Sequence, residues 1–297
     1  MSRQELEALV EQLRAAPLSF EDDPATIRKN FDALAGDFPV ADDVAFDEVD
    51  LGGIRAMRSA ARTVDDARVL LYLHGGGYVA GSPGIYRSLW SGLGAAMQAR
   101  AVAPYYRLAP EHPFPAAVDD AVAAYRGLLA EGHRPTDIAV AGDSAGGGLA
   151  VALLVAARDA GLELPACAVL FSPWTDLACD SASMRDKAAA DPSLTPEGLR
   201  LSAARYAAGT DLAHPLASPL RADLSGLPPL LIHVGTAEVL LDDATRLAAR
   251  AAACDVRTSL EVWPGLVHDF PLFAFALGEG RQALERCAAF VADHVAG

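Results

Sequence analysis

AVAGDSAGGG, Ala139 to Gly148, begins as an apolar, β-rich run, narrows to small residues and opens into a helical pattern, GGGLAVALLVAARDAG. A strand that turns directly into a helix this way leaves one residue on a sharp, strained bend. Here that residue is Ser144, flanked by Gly142 and Gly146, which allow strand and helix to approach closely while the hydroxyl projects above the sheet. The competing reading is a Gly-rich turn that binds phosphate at a helix N-terminus. GDSAGG has neither the lysine of a P-loop nor the spacing of a dinucleotide fingerprint, so Ser144 is expected to be a nucleophile.

Working outward, short apolar runs alternate with helical patterns. RVLLYLHG, ARAVAPYY, DIAVAGDS, ACAVLFSP, LPPLLIHVG and TSLEVWPG read as strands, while AAVDDAVAAYRGLLAEG, the Gly147 segment, LDDATRLAARAAACD and GRQALERCAAFVADHV read as helices. That alternation predicts an α/β fold, a mostly parallel sheet covered by helices on both faces. VAFDEVDLGGIRAMRSA, split by Gly52-Gly53, predicts a leading hairpin. Two helices are expected before it, the first ending ahead of Pro17. The long stretch between ACAVLFSP and LPPLLIHVG is too long for a simple crossover and contains LTPEGLRLSAARYAAG, a helix with Thr195 as N-cap and Pro196 in its first turn. The expected organisation is a helical part of a cap at 1–40, a first part of the core at 41–178, a helical cap insert at 179–222 and a second part of the core at 223–297.

A serine hydroxyl needs a base, and the base needs an orienting acid. Of seven histidines, His268 in PGLVHDF follows the last strand-like run, which suits a side chain reaching back toward Ser144. His233 lies inside a strand and is expected to pack. The acid is sought in GTAEVLLDDA, which offers Glu238, Asp242 and Asp243. Glu238 sits on the loop, whereas the two aspartates fall in the first turn of a helix, where a carboxylate is favoured without any chemical task. LYLHGGGYVAGSP supplies a Gly-rich loop after the first long strand, and the N–H groups of Gly76 and Gly77, with that of Ala145, are the expected oxyanion donors.

HGGGY, the segment YRLAPEHPFPAAVDD from Tyr106 to Asp120, GDSAGG and PGLVH together resemble the bacterial hormone-sensitive-lipase-like branch of the α/β-hydrolase fold. The resemblance spans about Val69 to the C-terminus and implies a carboxylesterase acting on short to medium acyl esters, without cofactor or metal. It also implies a cap built from N-terminal helices and an insert. The family's acid heads a segment written D-P-L-R-D-E, which falls here on Glu238-Val239-Leu240-Leu241-Asp242-Asp243, so the acid position holds Glu, with Asp242 as the alternative. His74, Glu111 and Asp143 are expected to brace the site. Tyr78, Trp90, Trp174 and Tyr206 are candidates for an apolar substrate pocket, and core packing explains each equally well. An amide or lactone hydrolase with the same triad, and a non-catalytic ligand-binding protein on a hydrolase scaffold, are the rival readings.

At 297 residues and 52% hydrophobic composition, the chain can bury one large core with a smaller attached element. A net charge of −15 disfavours nucleic acid and anionic membranes as partners and points to a small uncharged ester. Cys167, Cys179, Cys254 and Cys287 form no CxxC pair and are expected as free thiols, mostly buried. The N-terminal stretch has no continuous apolar region of a signal peptide, and no run is long enough to span a bilayer, so a cytoplasmic location is expected. A homodimer is expected only by analogy of fold.

Overall fold

The computed structural model describes residues 3–15, 18–34, 38–61 and 65–295. Two helices, α1 (Arg3–Ala15) and α2 (Pro24–Ala33), precede the hairpin β1 (Val44–Leu51) and β2 (Ile54–Ala61). The expected stop at Pro17 lies outside the described residues. The core follows as β3 (Asp65–Leu73), α3 (Arg87–Ala96), β4 (Ala99–Pro104), α4 (Ala116–Ala130), β5 (Ile138–Asp143), α5 (Ser144–Asp159) and β6 (Cys167–Phe171). After α6 (Ala182–Asp186) and α7 (Pro196–Ala207) come β7 (Leu230–Gly235), α8 (Leu241–Ala253), β8 (Thr258–Trp263) and α9 (Gly278–Ala292).

The eight strands form one sheet in the order β1-β2-β4-β3-β5-β6-β7-β8. The hairpin strands pair antiparallel with each other, β2 pairs antiparallel with β4, and every other neighbouring pair is parallel. β5, β6 and β7 are buried at every position, as expected of parallel strands covered on both faces.

The strand order locates the site. From β3 the chain steps one way along the sheet to β4, then returns past β3 to β5 and proceeds through β6 and β7 to β8. Crossovers between parallel strands are right-handed, so reversing the direction of travel puts α3 on one face and α4, α5 and α8 on the other. Accordingly α3 packs against α9, and α4 against α5. Between the carboxyl ends of the adjacent strands β3 and β5 the connections leave toward opposite faces and open a crevice. The HGGG loop and Ser144 lie at those two strand ends.

The insert between β6 and β7 carries α7 with its expected cap: Thr195 Oγ1 accepts from Gly198 N–H at 3.0 Å, and Pro196 is the first helical residue. The N-terminal segment touches this insert directly. Thr195 donates to Glu21 Oε1 at 2.9 Å, and Arg205 donates to the Phe20 and Asp22 carbonyls at 2.9 and 2.7 Å. Residues on α1, including Leu6, Leu9, Val10 and Leu13, form a second apolar cluster with Leu266, Val267 and Phe270, the loop that bears His268.

Two elements escaped the sequence. α3 (RSLWSGLGAA) has two internal glycines and no side-chain cap, so its pattern reads as a loop, and it is held by burial of Leu89, Trp90 and Leu93. α6 is a single short turn of helix fixed from outside, where Asp242 and Val239 accept from Ser183. All four cysteines are free; Cys254 is half-buried and the others buried.

Candidate active site

Ser144 occupies the bend between β5 and α5 with φ of +52°, a left-handed conformation strained for a residue with a Cβ. The close packing beneath it explains the small neighbours. A Cβ on Gly146 would lie 2.0 Å from the Leu73 carbonyl oxygen, and one on Gly142 would lie 2.3 Å from that of Gly146. A side chain at Gly146 would push α5 away from the end of β3, and one at Gly142 would push it away from β5.

His268, on the loop after β8, presents Nδ1 to Glu238 Oε2 at 3.2 Å. The Glu238 carboxylate has no exposed surface. Its other oxygen accepts from Ser172 Oγ at 2.8 Å and Gly235 N–H at 2.5 Å, so the side chain is fixed from three directions. Burial raises the Glu238 pKa above the usual carboxylate value, and the hydrogen bond from His268 opposes that rise. For His268, burial disfavours the cation, yet Asp269 and Glu238 outweigh it and push the pKa well above that of free imidazole. The cause is geometric, because His268 Nε2 lies 3.0 Å from Asp269 Oδ2 and the ring stands between two carboxylates. Ser144 Oγ makes no hydrogen bond with that ring nitrogen.

The HGGG loop is tied to the serine turn through Asp143. This buried carboxylate accepts from Gly75 N–H at 2.9 Å and Tyr72 Oη at 2.5 Å. The Gly76 carbonyl accepts from Val79 and Ala80 N–H at 3.1 and 2.9 Å, which closes the loop into a tight turn. Ala145 N–H is among the first donors of α5, which have no partner within a helix. The Gly loop and the first turn of α5 thus follow directly on the ends of the adjacent strands β3 and β5.

The alpha/beta hydrolase fold family matches residues 70–272 of this chain. It belongs to that family. An acetyl-hydrolase of Streptomyces hygroscopicus is 54% identical over 226 residues, covering 76% of each chain. An esterase of Acinetobacter venetianus is 33% identical over 285 residues, covering 96% of this chain and 94% of its own. Among solved structures, an esterase from the bacterial hormone-sensitive lipase family superposes with a TM-score of 0.95 at 42% identity over the full length of both chains. An esterase/lipase from an uncultured bacterium gives 0.93 at 46% identity, covering 97% of this chain and 98% of its own. The chain is a carboxylic ester hydrolase of the hormone-sensitive-lipase branch.

In this hydrolase the three carboxylates after β7 have separate surroundings. Glu238 alone meets His268. Asp242 accepts from Ser183 N–H at 2.9 Å, and Asp243 from Thr175 and Asp176 N–H at 2.8 and 2.9 Å, so both anchor the insert to the start of α8. Glu111 reaches the Gly loop only through Arg28 of α2. It pairs with that guanidinium, which also donates to the Val79 and Ala109 carbonyls at 2.9 Å each. His74 is buried against Tyr106, its ring stacked at 4.2 Å, and burial lowers its pKa to about 4, so it is neutral.

The four pocket candidates separate. Tyr78 stacks on Tyr206 at 3.8 Å and lies 6.0 Å from Trp174, one aromatic group between the Gly loop and α7. Trp90 belongs elsewhere: it donates to the Pro83 carbonyl at 2.8 Å and packs on Phe46 of β1 as an ordinary core residue. Sequence reasoning missed Ser172, Asp269, Arg28 and Tyr72. Only Asp269 carried a signal, its adjacency to His268; the others meet the site through tertiary contacts with no fixed sequence interval.

Proposed function

We propose that this esterase hydrolyses small uncharged esters of short to medium acyl chains through Ser144, His268 and Glu238 by way of an acyl-enzyme. The observation that carries the reading is the Glu238–His268 pair, buried and hydrogen-bonded. It accompanies a serine on a strained strand-to-helix bend. Relatives support the substrate class: one is named an acetyl-hydrolase, and one related crystal was soaked with p-nitrophenyl butyrate.

In the mechanism, His268 Nε2 turns from Asp269 to Ser144 and takes the hydroxyl proton as Oγ bonds to the acyl carbon. Glu238 holds the ring and stabilises its cation. The N–H groups of Gly76, Gly77 and Ala145 stabilise the tetrahedral oxyanion. As that intermediate collapses, the alcohol leaves with the proton from His268. Water then attacks the acyl-enzyme, giving its proton to His268, and the second intermediate returns that proton to Ser144 Oγ as the acid departs. Asp143, and Glu111 through Arg28, keep the Gly loop in place.

The N-terminal helices and the insert act together as the cap over this centre, with Tyr78, Trp174 and Tyr206 forming its apolar floor. The four unpaired thiols support a cytoplasmic setting. Strand β8 ends the sheet and exposes Val262, a surface suited to a homodimer.

The test is the initial rate on p-nitrophenyl esters from acetate to dodecanoate, for wild type and Ser144→Ala. A short-chain optimum abolished by the substitution is expected. Substantial turnover by a folded Ser144→Ala protein would overturn the reading.

A further inference from the structure

The nitrogen that must take the serine proton faces a carboxylate. His268 Nε2 lies 3.0 Å from Asp269 Oδ2, while Nδ1 is held by Glu238. Asp269 is no passing surface group. It is 7% exposed, its own N–H donates to Ser172 Oγ at 3.2 Å, and Ser172 in turn donates to Glu238, so one hydroxyl fixes both carboxylate-bearing loops. Its backbone is left-handed, φ 52° and ψ 36°, which directs the side chain of the residue after the histidine back onto the ring.

Other groups around the ring reinforce this placement. Asp143 at the end of β5 interacts electrostatically with both His268 and Asp269. Tyr72 of β3 and Tyr86 ahead of α3 also lie within the influence of Asp269. Asp143 Oδ2 and Asp269 Oδ1 are buried without a hydrogen-bond partner. The imidazole is therefore held between Glu238 and Asp269, with the buried Asp143 near enough to interact with it, and no basic side chain is in direct contact with it among the described residues.

We propose that Asp269 is a positioning residue that parks the protonated His268 ring in the resting enzyme, so that Ser144 is activated only after His268 Nε2 sheds its proton and leaves Asp269. The proposal rests on His268 being the general base of the reaction. It makes Asp269 a brake on turnover at low pH and sets where the acid limb of the activity profile falls. An anion next to a cation favours the charged form by about one to three pKa units. Removing Asp269 therefore moves the acid limb down.

The experiment is the pH dependence of kcat/KM on p-nitrophenyl butyrate for wild type, Asp269→Asn and Asp269→Gly, with His268→Ala as reference. Asn keeps the shape, and Gly suits the left-handed backbone if Asn disturbs folding. The acid-limb midpoint is expected to fall by about one unit or more in both variants. A purely structural role would scale the whole profile without moving the midpoint, and an unchanged midpoint in either folded variant overturns the proposal. Ring 15N titration of His268 in a Ser144→Ala background gives the same test without turnover, with a lower midpoint expected when Asp269→Asn is added. Retained activity in His268→Ala would instead remove the assignment of the base, a failure distinct from an unmoved midpoint.

Discussion

Glu238 is wholly buried, an expensive place for a carboxylate unless each oxygen is engaged. Ser172, Gly235 N–H and His268 engage them. Glu238→Gln keeps the shape and removes the charge that stabilises the imidazolium, so kcat is expected to fall by about 10⁴-fold with KM little changed. Asp242→Asn is expected to retain most turnover, because Asp242 serves the Ser183 N–H of the insert. Steady-state kinetics on p-nitrophenyl butyrate separates the two, and equal losses in both variants would contradict the division of roles. At this scale the contact between Glu238 and His268 was legible from a loop position and a thirty-residue interval. Ser172 was not, since its φ of +42° and the two hydrogen bonds of its hydroxyl exist only once β6, β7 and the histidine loop are assembled.

Element by element, the site depends on how closely α5 approaches β3 and on how the N-terminal helices hold the two loops. Gly146→Ala would set a Cβ 2.0 Å from the Leu73 carbonyl oxygen, backbone against backbone. The expected cost is about 1–3 kcal/mol, with Ser144 displaced, visible as a lower denaturation midpoint together with lost activity. Arg28→Ala removes two donors to the Val79 and Ala109 carbonyls and frees Glu111. Lower kcat with a smaller stability loss, about 1–2 kcal/mol by denaturant titration, is expected. Unchanged kcat would show that α2 does not brace the Gly loop. The strands and long helices were legible because burial on one or two faces writes a period into the sequence. α3 was not, since its two glycines and uncapped start carry no such signal and tertiary packing supplies its stability. Nor did the sequence reveal that α1 would pack on the histidine loop, a contact between the two ends of the chain.

Across the whole molecule, the reversal of direction along the sheet brings the HGGG loop, Ser144, Glu238 and His268 to its carboxyl edge, though they span most of the chain. The same burial that builds this edge couples stability to pH. His233 on β7 accepts from Trp263 Nε1 at 3.0 Å and meets Cys287 of α9 at 3.4 Å. Burial and then Arg286 lower its pKa to about 3. The folded-state value is depressed, so its contribution is present above about pH 6.5 and is lost as pH falls toward 3, when the unfolded chain binds the extra proton. The destabilisation caused by His233→Gln should therefore shrink as pH is lowered below about 6.5, by up to about 1.4 kcal/mol per unit. Urea titrations of both proteins at several pH values check this, and a constant difference would contradict it.

In the proposed reaction Ser144 becomes acylated with His268 as its base. The most direct measurement is rapid quenching of wild type during turnover of p-nitrophenyl butyrate, followed by mass spectrometry of the peptide spanning β5 and α5. The added mass of one butyryl group on Ser144 is expected, absent in Ser144→Ala and formed far more slowly in His268→Ala. Turnover by wild type with the acyl group on another residue would contradict it.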